Sequence, residues 1–137
     1  MTTMYGALDI STSGLIANRV RVDVISANIA GKDTILNPQG QYEPFRRRIA
    51  LFAQGTPDGE SPMGVHVAAI ELDPSDLQMK FEPDSPYANA DGYVGYPNVN
   101  MIVEQMNAMD AARSYEANIA AIEATKSMIS IALQSLA

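Results

Sequence analysis

Few residues in this chain are of the kinds that do chemistry. It has one histidine, His66, and no cysteine, so disulfide bonds and thiolate zinc sites are excluded. His66 lies between Val65 and Val67 in a predicted strand, where alternation places it on the opposite face from both valines. A metal site would need carboxylates alone, and no G-x-S-x-G motif accompanies the histidine. The pattern is typical of a polar strand position, and we expect no catalytic, metal-binding or cofactor-binding residue.

The carboxylates are numerous, but their spacing matches no known kind of site. Asp84, Asn89 and Asp91 resemble a calcium loop only superficially, because the alternating acids and the closing glutamate are missing. Four acids of the predicted last helix recur at separations of six, six and seven residues: Glu104, Asp110, Glu116 and Glu123. This spacing favours a solvated stripe with ion pairs to Arg113 and Lys126. A periplasmic enzyme that uses paired acids, such as a cell-wall hydrolase, is the alternative from another functional class.

Three consecutive arginines form a short basic run inside a predicted strand. Alternation places Arg46 and Arg48 on one face and Arg47 on the other. The run could bind a polyanion, could meet the acidic middle of a neighbouring copy, or could be a solvated strand edge that discourages aggregation. The net charge is −7, and residues 32–95 carry ten acids against five bases. Nucleic-acid-binding proteins usually concentrate positive charge, so nucleic acid is not an expected partner. Without a motif for a catalytic or ligand site, a small-molecule substrate is not expected either.

Two heptad patterns predict long helices at the two ends, over about 5–30 and 100–136. The first pattern consists of Leu8, Leu15, Val22 and Ile29, with Ile25 between the last two. The second consists of Met101, Ala108, Tyr115, Ile122, Ile129 and Leu136, with Ala112, Ile119 and Leu133 in between. A repeat of seven residues keeps one stripe of a helix facing a partner helix. We therefore expect the two ends to pair with each other and with further copies, as in a building block.

The predicted pair is a coiled-coil-like hairpin. The side chains expected to meet across it are Leu15, Val22, Ile25 and Ile29 on one side and residues among Tyr115, Ile119, Ile122 and Ile129 on the other. Methionines on the last helix, such as Met106, suit interfaces with non-identical neighbours, but ordinary packing would also explain them.

The middle of the chain predicts a small β unit. Alternating segments indicate strands over 42–52, 65–72 and 77–81, with a bulge near Ala68–Ala69 where the apolar parity changes. Seven of the nine aromatic residues lie between Tyr42 and Tyr96. The predicted class is α+β, with an N-terminal core helix over 1–31, a β insertion with extended connectors over 32–96, and a C-terminal core helix over 97–137.

Turn and cap residues predict how the elements join. Gly31 is expected to end the first helix in the left-handed conformation. Residues 83–97 predict an extended connector, and Asn98 or Asn100 a cap for the last helix. Pro97 restricts its own φ and the residue before it. We expect the segment 91–100 to set the direction of the last helix instead of acting as a loose tether.

Two long segments resemble the terminal signatures of flagellar axial proteins. Residues 7–31 are ALDISTSGLIANRVRVDVISANIAG, which carries the S-G-L and N-I-A elements of the N-terminal signature. Residues 91–136 are DGYVGYPNVNMIVEQMNAMDAARSYEANIAAIEATKSMISIALQSL, which is similar to the C-terminal signature. The short length and the segment YEPFRRRIALF (42–52) resemble the FlgC type of proximal rod protein. Gly31 departs from the family pattern, which usually has Asn at this position.

The resemblance implies a structural subunit of the bacterial flagellar basal body, in the rod that crosses the periplasm and transmits torque. It implies export in an unfolded state through the flagellar type III apparatus, without a cleaved signal peptide. Expected partners are further copies, other rod proteins, and the inner-membrane ring and export-gate components at the rod base. Another short axial subunit is the alternative within this class. The residues expected in the assembly interface are Leu8, Leu15, Val22, Ile25, Asn28, Ile29, Tyr93, Tyr96, Asn98, Asn100, Met106, Tyr115, Ile119, Ile122, Ile129 and Leu133.

Overall fold

A computed structural model describes residues 2–136, with side chains from Gly6 onward. The elements in chain order are α1 (Thr2–Ala30), β1 (Arg48–Gln54), β2 (Val65–Leu72), β3 (Gln78–Phe81), β4 (Tyr93–Tyr96) and α2 (Met101–Leu136). Two long terminal helices enclose a small antiparallel β region in the sequence, so the predicted α+β class is confirmed. Neither helix, over the part of the chain that the structure describes, is long and apolar enough to cross a membrane.

The two helices pack against each other as an antiparallel hairpin. Near the end of α1, the Asn28 amide nitrogen donates to the Glu104 carboxylate at 3.1 Å. Near its beginning, a Cβ on Gly14 would lie 2.9 Å from the Asn118 amide. The absent side chain at Gly14 therefore lets the helices approach closely at this crossing. The S-G-L element of the N-terminal signature supplies that small residue.

The seam of the hairpin has heptad spacing, but in a different phase from the predicted one. The positions of α2 that turn toward α1 are seven apart and small or polar: Glu104, Ala111, Asn118 and Thr125. Ala111 is fully buried, whereas Tyr115 and Ile119 keep 39% and 37% of their surface exposed. The predicted positions Tyr115 and Ile119 therefore lie beside the closest line of contact, and Tyr115 lines a pocket that it shares with Val22 of α1. The heptad spacing was predicted, but small side chains occupy the positions nearest α1, because two helices pack at a shorter distance where the side chains between them are small.

The β1–β2 hairpin contains the predicted bulge. Leu51 pairs with Ala69, but the next residue, Phe52, pairs with Val67. Ala68 is thus the extra residue on β2, as the change in apolar parity predicted.

The first strand begins later than predicted, at Arg48 instead of Tyr42. Before it, the chain doubles back on the segment expected to be a linker: Glu43 N donates to Ile35 O and Phe45 N donates to Thr34 O, both at 2.9 Å. Pro44 has no N–H to donate, so it interrupts any regular ladder here.

β4 is a strand that lies inside the predicted connector. It pairs antiparallel with β3, from Gln78 opposite Tyr96 to Phe81 opposite Tyr93. The Tyr42 hydroxyl holds β4 from outside the ladder, donating to Gly95 O at 2.9 Å and accepting from Gly95 N at 3.0 Å. The abundance of Pro, Gly and Asn around 83–97 concealed this four-residue strand. The segment is hydrogen-bonded on two sides, to β3 and to Tyr42, as a positioning element would be.

Gly31 ends α1 for a different reason from the predicted one. Its φ is not positive, so it is not a left-handed cap. A Cβ at this position would lie 2.8 Å from two carbons of the Phe45 ring. The residue is glycine because an aromatic side chain from the following segment packs directly on the helix end.

Candidate assembly surfaces and their polar junction

A buried carboxylate lies where the helical hairpin meets the β region. The Glu104 side chain has no exposed surface. Its Oε1 accepts a hydrogen bond of 2.6 Å from Arg47 Nε, and its Oε2 accepts one of 3.1 Å from Asn28 Nδ2. Arg47 also donates from Nη1 to Asp73 Oδ2 at 3.1 Å. We call these four residues, together with Asn98, the polar junction.

The charges of the junction stabilise one another. Burial disfavours the charged form of Arg47, but hydrogen bonds to Glu104 and Asp73 outweigh it and raise the pKa of the guanidinium above its ordinary value. Hydrogen bonds from the backbone and hydroxyl of Ser75, and then Arg47, lower the pKa of Asp73. Both groups therefore remain ionised over the whole physiological range. The expected solvated stripe through Glu104 is wrong at this position, because the carboxylate is inside the subunit.

The side-chain amide of Asn28, in α1, pairs with the backbone of β1 as a neighbouring strand would. Its Oδ1 accepts from Arg48 N and its Nδ2 donates to Arg48 O, each at 2.8 Å. A side-chain amide that pairs with both backbone groups of one residue satisfies the edge of β1 as a neighbouring strand would. The asparagine of the N-I-A element thus joins α1 to β1 and, through Glu104, to α2.

Asn98 closes the junction from the other side. Its Oδ1 accepts from Arg47 N at 2.8 Å, and its Nδ2 donates to Asp73 O at 3.2 Å and to Ser75 Oγ at 2.9 Å. Two residues later, Asn100 Oδ1 accepts from the N–H groups of Ile102 and Val103 at 3.0 and 3.3 Å. Asn100 is therefore the N-cap of α2, one of the two predicted candidates. The junction and the cap together fix where α2 begins and in which direction it leaves.

The sequence itself carries a signal for this junction. Glu104 precedes Ala111 by seven residues and shares its face, so the phase of the seam marks it as an inward acid. Arg47 is the one arginine of its run on the opposite strand face. An inward acid in a helical seam requires a cationic or amide partner, and Arg47 and Asn28 supply it.

The junction holds its acidic groups in structural hydrogen bonds. Both Glu104 oxygens accept from protein donors, and Asp73 is bound by Arg47 and Ser75. His66 Nδ1 lies 2.8 Å from Gly55 O, at the end of the β1–β2 loop. Over residues 2–136, no group of three His, Cys, Asp or Glu side chains is arranged to hold a metal ion.

The surface of α2 away from α1 is also apolar. Eight exposed residues recur at helical spacing on the surface that α1 leaves uncovered, and we call them the outer stripe: Ile102, Met106, Met109, Ala117, Ala120, Ala124, Met128 and Ile131. Ile102, Met106 and Ile131 expose 68%, 61% and 63% of their surface. Arg113 is the charged residue within this line. An exposed apolar stripe on a helix that already packs against one partner is typical of a helix that packs between two partners.

The residues expected in an assembly interface fall into three groups. Asn28, Asn98 and Ile25 are buried inside the subunit, and Asn100 is the helix cap, so these four have intramolecular roles. Exposed residues are Tyr93, Met106, Tyr115, Ile119 and Leu133. The half-buried remainder is Leu8, Leu15, Val22, Ile29, Tyr96, Ile122 and Ile129. Tyr96 donates to Glu82 and lies under Lys80 Nζ, which is 3.8 Å from its ring centroid.

Comparison with known proteins identifies the family. Residues 8–34 match the model described as "Flagella basal body rod protein", and residues 90–135 match "Flagellar basal body rod FlgEFG protein C-terminal". The chain is 38% identical to flagellar basal-body rod protein FlgC of Bacillus subtilis (strain 168), covering 96% of this chain and 97% of that protein. The chain belongs to the FlgC family of flagellar basal-body rod proteins. The FlgC proteins of Salmonella typhimurium and Borreliella burgdorferi are each 37% identical, over 92% and 97% of this chain respectively.

The family assignment agrees with the resemblance noted from the sequence. The chain is a structural subunit of the flagellar basal-body rod. The two matched segments contain Gly14 and Asn28 of α1, Asn98 just before α2, and Glu104 of α2. These residues set the helix approach and form most of the junction. Arg47 and Asp73 lie in the β region between the two matches.

Proposed function

We propose that the chain polymerises through its terminal helices into the proximal part of the rod, where it helps to transmit torque. One observation carries the proposal: α1 covers one side of α2, and the outer stripe that it leaves uncovered is apolar. The outer stripe is left for a helix of a neighbouring subunit. Burial of apolar side chains would supply the main driving force for such an assembly.

The composition of the outer stripe suits close helix packing. Its centre consists of Ala117, Ala120 and Ala124, which let a neighbouring helix approach closely. Its ends carry the larger Ile102, Met106 and Ile131. We infer that this surface, with Tyr115, Ile119 and Leu133 beside it, is the principal assembly interface of the helical core.

The polar junction suits a part that must resist twisting. It ties α1, α2 and β1 together by hydrogen bonds and ion pairs that are largely withdrawn from water. We propose that the helical core comprises 1–31 and 97–137, and that residues 32–96 form an outer insertion held to the core by the junction. Torque applied to the insertion would then reach the core without a flexible hinge.

The remaining elements of the proposal rest on the resemblance to flagellar axial proteins. The partners are other rod proteins and, at the rod base, the inner-membrane ring and the export gate; delivery is through the flagellar type III apparatus without a cleaved leader. No catalytic role is proposed, because Glu104, the carboxylate that is buried among the described residues, is paired with Arg47 and accepts a hydrogen bond from Asn28. This distinguishes the proposal from a cell-wall hydrolase, which needs a free acid in a cleft.

A single charge on the outer stripe tests the proposal. Ala120→Asp should leave the exposed helix folded but should keep the purified chain monomeric at concentrations where the wild type polymerises, because assembly would bury an unpaired charge. Ser130→Asp, also on an exposed position of α2 but about a quarter turn away, is the matched control. Sedimentation velocity over a concentration series gives the readout. If Ala120→Asp polymerises like the wild type, the outer stripe is not the interface.

A further inference from the structure

An apolar groove with a basic rim lies on the β region, away from the outer stripe. It has a volume of about 550 Å³ and lies between the folded-back segment 34–46 and the β1–β2 hairpin. Its apolar wall includes Leu36, Phe45, Leu72 and Leu77. Leu72 exposes 59% of its surface, so an apolar surface here is open to a partner.

Among the described residues, two arginines at the groove form no salt bridge with a carboxylate. Over residues 2–136, the salt bridges involve Lys32 and Arg47 but neither Arg46 nor Arg48. Arg46 Nη1 donates only to backbone carbonyls, at 3.0 Å to Ser75 O and 3.4 Å to Asp73 O. The Arg48 guanidinium lies 5.5 Å from the Phe45 ring centroid. The one acid of the rim, Glu43, is held by Asn37 Nδ2 at 3.1 Å.

The chain also presents a surface of opposite chemistry. Residues 82–91 contain three acids, Glu82, Asp84 and Asp91, and no base. An exposed aromatic pair flanks this segment. Phe81 and Tyr93 expose 65% and 41% of their surface, and their rings meet edge to face at 5.3 Å. We call residues 81–93 the acidic ridge.

The acidic ridge is held in shape by its own turns. Ser85 N donates to Glu82 O and Ala88 N donates to Ser85 O, each at 3.1 Å. Asn89 Oδ1 accepts from Asp91 N at 3.0 Å and from Tyr93 N at 2.9 Å. A surface that is already ordered loses little conformational entropy on binding.

We propose that the groove binds the acidic ridge of a second copy of this chain. The inference rests on the proposed self-assembly and adds a second contact, between β regions. Phe81 fits an apolar groove lined by Phe45 and Leu72, and the exposed carboxylate of Asp84 complements Arg46 and Arg48 at its rim. Charge complementarity of this kind selects a partner and fixes its register.

Charge reversal and its compensation test the contact. Arg48→Glu and Asp84→Lys should each lower the association constant of the full-length chain by about tenfold at low salt, because like charges then meet across the contact. An equimolar mixture of the two variants should recover wild-type association, since each reversed groove then meets a ridge of opposite charge. Asp58→Lys makes the same charge change in the exposed β1–β2 loop and should have no effect. The association constants come from sedimentation equilibrium, with circular dichroism to confirm folding.

A neutral variant separates the apolar part of the contact from its charge. Leu72→Ser changes an exposed residue and should weaken association at both low and high salt. If polymers form normally with every groove and ridge variant, this contact is wrong while assembly through the outer stripe stands. If Arg48→Glu fails to bind a different rod protein but self-associates normally, the occupant is that protein and not a second copy. A wild-type chain that stays monomeric at all concentrations contradicts both proposals.

Discussion

Arg47 and Glu104 are separated by 57 residues in the sequence, yet their side chains are joined by a hydrogen bond of 2.6 Å. One lies just before β1 and the other in the first turn of α2. Because Glu104 has no exposed surface, the ion pair is an internal bond between the β region and the helical hairpin. It determines how the two parts of the subunit are held together.

Removing the charge of Glu104 should destabilise the whole subunit. Glu104→Gln leaves the Arg47 guanidinium with Asp73 as its only carboxylate partner, so we expect a loss of about 2–4 kcal/mol in the free energy of unfolding. Urea denaturation followed by circular dichroism gives this value. Glu116→Gln, at an exposed position of the same helix, should change it by less than about 0.5 kcal/mol. Equal effects of the two substitutions would contradict a structural role for the junction.

Acid should weaken the subunit partly through Asp73. Its pKa is lowered in the folded state by hydrogen bonds from Ser75 and by Arg47. The stabilisation is therefore complete above the ordinary carboxyl pKa near 4 and is lost as the pH falls through the lower, folded value. Unfolding free energies measured between about pH 6 and pH 3 should fall less steeply for Asp73→Asn than for the wild type. Asp76→Asn, an exposed neighbour, should keep the wild-type slope, and a parallel decline of all three proteins would exclude Asp73 as a contributor.

Any side chain at Gly31, at the end of α1, should lower the stability of the subunit as long as Phe45 is present. A Cβ there would lie 2.8 Å from the ring, so Gly31→Ala should cost about 1–3 kcal/mol from overpacking. Phe45→Leu in the same chain should recover part of that loss by giving the methyl group room. Gly6→Ala is the matched control, because its Cβ would meet Met63 Cε at an ordinary 3.4 Å. The measurement is the midpoint of urea denaturation, and a Gly31→Ala midpoint equal to that of Gly6→Ala would contradict the packing explanation.

Asn28 should not tolerate a carboxylate. In Asn28→Asp the group that donates to Arg48 O and to Glu104 becomes an acceptor, and two acids then lie within about 3 Å of each other. Breaking buried hydrogen bonds and adding a like charge should cost about 3 kcal/mol or more. Ser26→Asp adds the same charge to an exposed face of α1 and should change stability little. Thermal unfolding monitored at 222 nm compares the two, and tolerance of Asn28→Asp would mean that the edge of β1 does not depend on this amide.

Much of the fold is determined by local sequence patterns. The heptad spacing predicts both helices, the change of apolar parity predicts the bulge at Ala68, and the polar side chain of Asn100 predicts a helix cap. These features depend on backbone geometry over a few neighbouring residues, so the sequence alone is sufficient for them. The two terminal signatures likewise indicated the family.

Only the tertiary structure decided which phase of each heptad turns inward and which distant groups meet. A repeat of seven residues gives the spacing of a stripe but not its partner, and Gly14 and Ala111 take the closest positions because small residues permit the shortest helix separation. The role of Gly31 likewise depends on Phe45, which packs from outside the helix. The pairing of Arg47 with Glu104 depends on a chain path of 57 residues, and no local pattern specifies such a distance.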